Sequence, residues 1–181
     1  LPPGSPLVPS TRPSRAPPTL NSGYGLAAVA TGAGFLWNNQ MDNFSARPGI
    51  PNQYGMLGAE ANSVQPGKRP LSSMTPTIVR RFGDFYMTMG SPGGPTIITT
   101  VLQIYLNVTV WGMDIQQAID APRVHHQWLP DRIDHEPFAI SAETQAALEE
   151  MGYELDERRA TGLAAGLMRP RSEERGAGRA R

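Results

Sequence analysis

Two adjacent glycines, a pair of serines and a cluster of amides are the residues through which this sequence could do chemistry. In SPGGP, Ser91 to Pro95, the glycines stand between a strand-like segment and a helical one. Glycine tolerates backbone conformations that turn successive N–H groups to one side. A helix starting just beyond adds its positive end, so a developing oxyanion or a phosphate can be held there. The lysine and spacing of a P-loop and the three-glycine spacing of a dinucleotide fingerprint are both missing. A glycine turn that only lets a helix pack close to a sheet has the same composition. Ser72 and Ser73 set two hydroxyls side by side after a Gly-Lys-Arg-Pro turn. They can bond a carboxylate, or satisfy local backbone groups as loop serines do. Gln40, Asp42 and Asn43, behind Asn38 and Asn39, gather amide and acid groups just after the apolar Phe35–Trp37. Such a group at a strand end suits a small polar ligand, although a solvated loop looks alike.

His125 and His126, with His135 and Asp131 or Asp134 further on, raise the question of a metal. Neighbouring residues on an extended chain point to opposite sides and no HExxH spacing occurs, so no metal site is expected. Asp120 and Arg123 straddle Pro122 and are expected to form an ion pair or turn contact with each other.

Several elements must position these groups. Phe35–Trp37, Thr77–Val79 and Phe85–Met89 read as strands, the last two joined by a hairpin over Gly83-Asp84. Residues 96–110 are rich in β-branched side chains, yet Ile97, Val101, Ile104, Tyr105 and Val108 fall on one helical face, which predicts a helix entered through Gly93, Gly94 and Pro95. Asp114 is expected to cap a short helix through Ile119 that Pro122 stops. Ser141 is expected to cap Ala142–Met151, with Gly152 ending it. The stretch from Ser45 to Met74 is irregular and long, which inside a domain usually signals function.

The chain has 181 residues, 16 basic and 16 acidic groups, 19 glycines, 18 prolines, no cysteine and 39% apolar positions. That is enough for one hydrophobic core and excludes disulfides, a thiol nucleophile and cysteine-ligated metals. No apolar run is long enough to span a membrane. Residues 1–18 include seven prolines and are expected to be disordered; 19–157 form the foldable domain, with seven basic and fourteen acidic groups; 158–181, with seven arginines, are expected to be a disordered Arg/Gly/Ala tail. The tail lacks the aromatic interleaving of a nucleic-acid site, so neither nucleic acid nor membrane is an expected partner. The chain opens at Leu1 with no methionine and no targeting pattern, and is expected to be a fragment.

Five segments carry a wider resemblance: TLNSGYG at Thr19–Gly25, NNQMDNFS at Asn38–Ser45, PGKRPLSSMTPTIV at Pro66–Val79, MGSPGGPTIITTVLQ at Met89–Gln103 and APRVHHQWLPD at Ala121–Asp131. In this order and spacing, over about 19–155, the chain resembles the small catalytic subunit of the gamma-glutamyltransferases. The resemblance implies an α+β, four-layer αββα N-terminal-nucleophile hydrolase fold, incomplete here, and a large-subunit partner cut from the same precursor. It implies that a threonine hydroxyl attacks a gamma-glutamyl amide such as glutathione, and that water, an amino acid or a peptide accepts the glutamyl group from the acyl-enzyme. No metal or organic cofactor is implied, and a periplasmic or extracellular location is. By matching positions, Thr19 looks like the residue orienting the nucleophile, Asn21 and Gln40 like ligands of the glutamyl α-amino and α-carboxylate end, Ser72 and Ser73 like holders of the α-carboxylate, and Gly93 and Gly94 like the oxyanion hole.

Three departures stand beside the match. The nucleophile's position falls on Leu1, and Thr11 is ten residues from the required place. This points to a piece inactive by itself, with a shifted reading frame or a damaged gene model at its ends. The family's closing strands are expected to be missing after Leu155. Asn43 stands where the family usually has aspartate, which would ease acceptance of an acyl group without an ammonium. The alternatives are therefore a glutaryl-amide, cephalosporin-type acylase relative, or a noncatalytic interaction fragment.

Overall fold

The computed structural model describes residues 19–169; the proline-rich 1–18 and residues 170–181 of the tail lie outside the described residues. The chain divides into a unit ending at Gln40 and one beginning at Met41. In the first unit, Val29 and Leu36 form a single antiparallel bridge and the Phe35 and Trp37 rings meet edge to face at 5.5 Å. The strand expected at Phe35–Trp37 is thus reduced to a bridge. Left-handed Ala27 opposite it, at φ 54°, breaks the extended run that a ladder needs.

In chain order the second unit builds β1 Thr77–Arg81, β2 Asp84–Gly90, α1 Thr96–Thr109, α2 Ile115–Asp120, β3 Val124–His125, β4 Ile133–His135, α3 Ala142–Glu150, β5 Leu155–Glu157 and β6 Ala165–Met168. One antiparallel sheet has the order β1-β2-β6; the other runs β3-β4-β5, with β4 and β5 parallel. The mixture of sheets and helices is α+β. The hairpin turns over Phe82 and Gly83, at φ 53° and 91°, because Asp84 already pairs with Arg81. The turn therefore lies one residue earlier than Gly83-Asp84, with positive φ at both central positions, as the twist of a tight hairpin requires.

Helix α1 buries Ile97, Thr100, Val101, Ile104 and Val108, and Tyr105 stands off that face. The buried stripe packs with Met87 and Met89 of β2 and Ala118 of α2. Burial of each large side chain contributes about 1.5–3 kcal/mol. Asp114 accepts from the Gln117 N–H while the Gln117 side chain accepts from Asp114 N–H, a reciprocal cap that starts α2. Ser141 caps α3, which ends at Glu150, and Gly152 follows it at φ 92°.

The tail expected from residue 158 onward contains β6. Its sequence, Ala-Gly-Leu-Met, has no apolar–polar alternation to mark a strand, but Ala164 and Met168 pack on the core, and Met168 to Ala165 run against Met87 to Gly90. A Cβ on Gly166 would lie 3.0 Å from Ile115 and 3.2 Å from the Thr88 carbonyl, so glycine permits the approach.

A buried ion pair ties this segment down. Glu136 and Arg123 are 7% and 9% exposed. Glu136 Oε2 accepts from Arg123 N–H at 3.0 Å and Nε at 3.3 Å, Oε1 lies 3.2 Å from Arg123 Nη2, and Oε1 also accepts from Thr161 N–H at 2.8 Å and the Thr161 hydroxyl at 3.0 Å. The contact expected between Asp120 and Arg123 is not formed: Asp120 instead accepts from Gln116 at 2.9 Å, because one helical turn separates them. Burial alone pushes the Glu136 carboxyl up, but the bonds from Thr161 and Arg123 outweigh it and hold the group below its ordinary 4.5.

Two stability measurements follow. Ile104 has no exposed surface, so Ile104→Ala should cost about 2–5 kcal/mol in denaturant unfolding. Because Glu136 is more acidic folded than unfolded, its stabilisation is complete above 4.5 and is lost as pH falls through the lowered folded value. Thermal midpoints measured from about pH 6 down to about pH 3 should drop, and Glu136→Gln should be less stable at neutral pH with a shallower acid fall.

Candidate functional site

The irregular stretch after Met41 is organised by asparagine side chains. Asn62 donates from Nδ2 to the Asn43 carbonyl at 2.8 Å and accepts at Oδ1 from Leu71 N–H at 3.1 Å, which draws the Asp42–Asn43 turn toward the serine pair. Ser45 bridges Ser63 in parallel, and Gly58 approaches Ser45 so closely that a Cβ would overlap its side chain. Asn52 Oδ1 accepts from Tyr54 N–H at 2.9 Å and Met56 N–H at 3.1 Å and shapes the loop between them.

These bonds enclose a cavity of about 400 Å3 whose wall includes Asp42, Asn43, Arg47, Ser72, Ser73 and Ile98. The structure thus brings together four of the residues singled out in the sequence: Asp42, Asn43, Ser72 and Ser73. Asp42 Oδ2 and Ser45 Oγ, from residues of this wall, are buried without a hydrogen-bond partner. Neither oxygen has accessible surface, and Gly58 packs directly against the Ser45 side chain, so both lie beneath the wall. Tyr54 is held above its ordinary 10.0 by burial and then by the Asp42 charge, so it remains a phenol near neutral pH.

Gly93 and Gly94 have φ 143° and 59°, conformations that suit glycine, and their carbonyls accept from Thr96 N–H at 3.2 Å and Ile97 N–H at 3.3 Å at the start of α1. Gly93 lines a second, more polar cavity of about 310 Å3 with Tyr54, His125, Gln127, Arg132 and Arg158. It does not line the Ser72 cavity, and Gly94, whose Cα faces the Tyr54 ring, lines neither. Loop 50–58 contributes to both walls: Pro51 and Asn52 to the first, Gln53 and Tyr54 to the second.

Thr19, Asn21 and Gln40 belong to the other unit. There Thr19 Oγ1 accepts from Asn21 N–H at 3.1 Å, Asn21 Nδ2 donates to the Asn39 carbonyl at 3.3 Å, and Gln40 N–H donates to Asn38 Oδ1 at 3.0 Å. Asn39 also accepts at Oδ1 from the Ser22 N–H and hydroxyl, each at 3.0 Å, so this amide gathers residues 19–22 to the run before Gln40. Leu1 and Thr11, considered for the nucleophile's place, lie outside the described residues.

The two neighbouring histidines part. His125 is buried between the Thr99 hydroxyl at 2.8 Å and Gln127 Oε1 at 2.9 Å, whereas His126 faces Asp131 at 3.0 Å near the surface. Among the described residues no three His, Cys, Asp or Glu side chains are grouped to hold a metal. Asp42 was read as part of the polar group after Phe35–Trp37, whereas Asn62 and Tyr54 were not singled out as site residues. For Asn62 and Tyr54 the available signal was only their place in the long irregular stretch.

Comparison with known proteins agrees with the five segments. The sequence model of a family described as gamma-glutamyltranspeptidase matches residues 17–180, so the match runs on past Leu155, where the resemblance was expected to stop. The chain is 49% identical over 150 residues to the glutathione hydrolase proenzyme of Escherichia coli strain K12, covering 83% of this chain and 26% of that protein. It is 48% identical over 134 residues to the proenzyme of Pseudomonas sp. strain A14, covering 74% and 23%. It therefore spans about a quarter of the length of these curated relatives. Among solved structures, the gamma-glutamyltranspeptidase T380A mutant of Helicobacter pylori superposes with a TM-score of 0.80 at 46% identity, over 84% of this chain and 82% of that one. The Pseudomonas nitroreducens enzyme complexed with L-DON gives 0.77 at 40%, over 84% and 80%. A match over nearly the whole sequence, with the same fold at such identity, means that this chain belongs to the gamma-glutamyltranspeptidase family.

Proposed function

We propose that this chain is the small-subunit part of an enzyme that cleaves a gamma-glutamyl amide such as glutathione and passes the glutamyl group, through an acyl-enzyme, to water or to an amino acid or peptide. The observation that carries this reading is the convergence of Asn43, Ser72 and Ser73 on one cavity. Two adjacent hydroxyls can donate to both oxygens of an α-carboxylate, and bonds to a charged acceptor are the stronger kind. The resemblance also gives Asn21 and Gln40 a role at the α-amino and α-carboxylate end of the substrate.

The attacking group is a threonine hydroxyl at the family's nucleophile position, which in this sequence falls on Leu1, and Thr19 orients it. The hydroxyl adds to the gamma-carbonyl carbon, the carbonyl oxygen takes the negative charge, and the Gly93 and Gly94 amides stabilise it. The hydroxyl proton passes to the α-amino group of the same N-terminal threonine; collapse breaks the C–N bond and that ammonium returns the proton to the departing amine. Water or the acceptor amine then attacks the ester and releases threonine. The remaining three quarters of the precursor supplies the large subunit and the outer layers of a four-layer αββα arrangement, to which the β1-β2-β6 sheet and α1 contribute one sheet and one helix.

The test uses the mature protein assembled from its full precursor, with gamma-glutamyl p-nitroanilide as donor. Each hydrogen bond to a charged group is worth about 1.5 kcal/mol or more. The Ser72→Ala/Ser73→Ala double variant should therefore raise KM roughly 100-fold while kcat changes little. An unchanged KM would reject the carboxylate role. Asn43→Asp restores a charge-assisted contact and should shift the ratio of glutamyl to glutaryl anilide turnover toward glutamyl by about 10-fold. An unaltered ratio would remove Asn43 from the site.

A further inference from the structure

The segment between β5 and β6 lies against the glycine turn with no room to spare. A Cβ on Gly162 would stand 2.7 Å from Ser91 Oγ and 3.0 Å from the Pro92 carbonyl, and one on Gly93 would stand 3.2 Å from the Thr161 carbonyl. The Thr96 hydroxyl, in the first turn of α1, reaches both sides of this contact, lying 2.6 Å from the Thr161 carbonyl and 2.9 Å from the Gly93 carbonyl. Thr161 is in turn held from behind, since its N–H and hydroxyl both donate to Glu136 Oε1, at 2.8 and 3.0 Å. The chain of contacts thus runs from the buried Arg123–Glu136 pair through Thr161 and Thr96 to Gly93.

We propose that Glu136, acting through Thr161, is a positioning residue that fixes the Gly93–Gly94 turn for stabilisation of the transition state. The proposal rests on the gamma-glutamyl-transfer reading above. Its physical basis is that a buried carboxylate cannot release Thr161 without leaving an acceptor lone pair unmatched. Thr161 therefore has one stable place, and the Thr96 hydroxyl passes that place on to the Gly93 carbonyl. Amides held beforehand toward a developing oxyanion act on the transition state and hardly at all on ground-state binding. The signature is a fall in kcat with KM preserved.

The experiment uses the mature enzyme assembled from the full precursor, with Thr96→Val, Thr96→Ser, Thr161→Val and Glu136→Gln variants and gamma-glutamyl p-nitroanilide. Loss of the link at Thr96→Val, Thr161→Val and Glu136→Gln should lower kcat by about 10- to 100-fold, with KM within about 2-fold. Thr96→Ser, which keeps the hydroxyl, should restore most of the rate. Deuterium uptake by the peptide containing Gly93–Thr96 should quicken in the slow variants and stay near wild type in Thr96→Ser. Should Glu136→Gln fail to fold, Thr96→Val and Thr161→Val still decide. Undiminished kcat in cooperatively melting variants, or an effect carried by KM alone, would overturn the proposal. If the wild-type enzyme releases no amine, the activity reading fails, and exchange at the glycine turn decides the positioning by itself: equal uptake in all variants would overturn it.

Discussion

A carboxylate taken out of water has to find donors, and Glu136 finds them at two places far apart along the chain, Arg123 and Thr161. Arg123 comes from the turn after α2, Glu136 itself follows β4, and Thr161 lies between β5 and β6. Removing either partner of such a pair leaves a buried charge uncompensated, a cost of about 3–5 kcal/mol. Because desolvating both charges offsets most of their attraction, the pair is a weak source of net stability, but the cost of breaking it makes it a strong constraint on geometry. It keeps residues 158–164 close to the core, and from there β6 can complete the first sheet beside β2. The glycine turn before α1 lies against the same segment.

The candidate site follows a different rule. Loop 41–74 has few large apolar side chains to bury, so its shape comes from amides bonding to backbone. Asn62 links the Asp42–Asn43 turn to the run before Ser72, and Asn52 folds its own loop. A wall built this way sets polar groups around the cavity, Asn43, Ser72 and Ser73 among them. Such a wall suits the charged head of a small substrate better than an apolar body. The same loop also faces the cavity of Gly93, so one irregular segment shapes both.

Much of the fold could be read in the sequence because its signals are local. The spacing of Ile97, Val101, Ile104 and Val108 marks α1 against the pull of its β-branched composition, and Asp114 and Ser141 mark two helix starts by capping chemistry. The hairpin was legible to within one residue. Asn43, Ser72 and Ser73 were legible as polar groups in an irregular stretch, and the five segments linked them to a family. What escaped depends on partners distant in sequence: β6 is a strand because β2 offers it a ladder, while its own Ala, Gly and Leu residues carry no alternating pattern.

The sequence by itself determined the period of α1, the capped helices, the β1-β2 hairpin and the residue types available for holding a small charged group. Only the tertiary structure decided that Arg123 pairs with Glu136 and not Asp120, that Asn62 brings Asn43 near the serines, and that Gly93 and Ser72 line different cavities. The physical reason is range. Helical periodicity, caps and tight turns act over about four residues and are written in neighbours. Satisfying a buried carboxylate or closing a cavity selects partners by their positions in space, which no local pattern encodes.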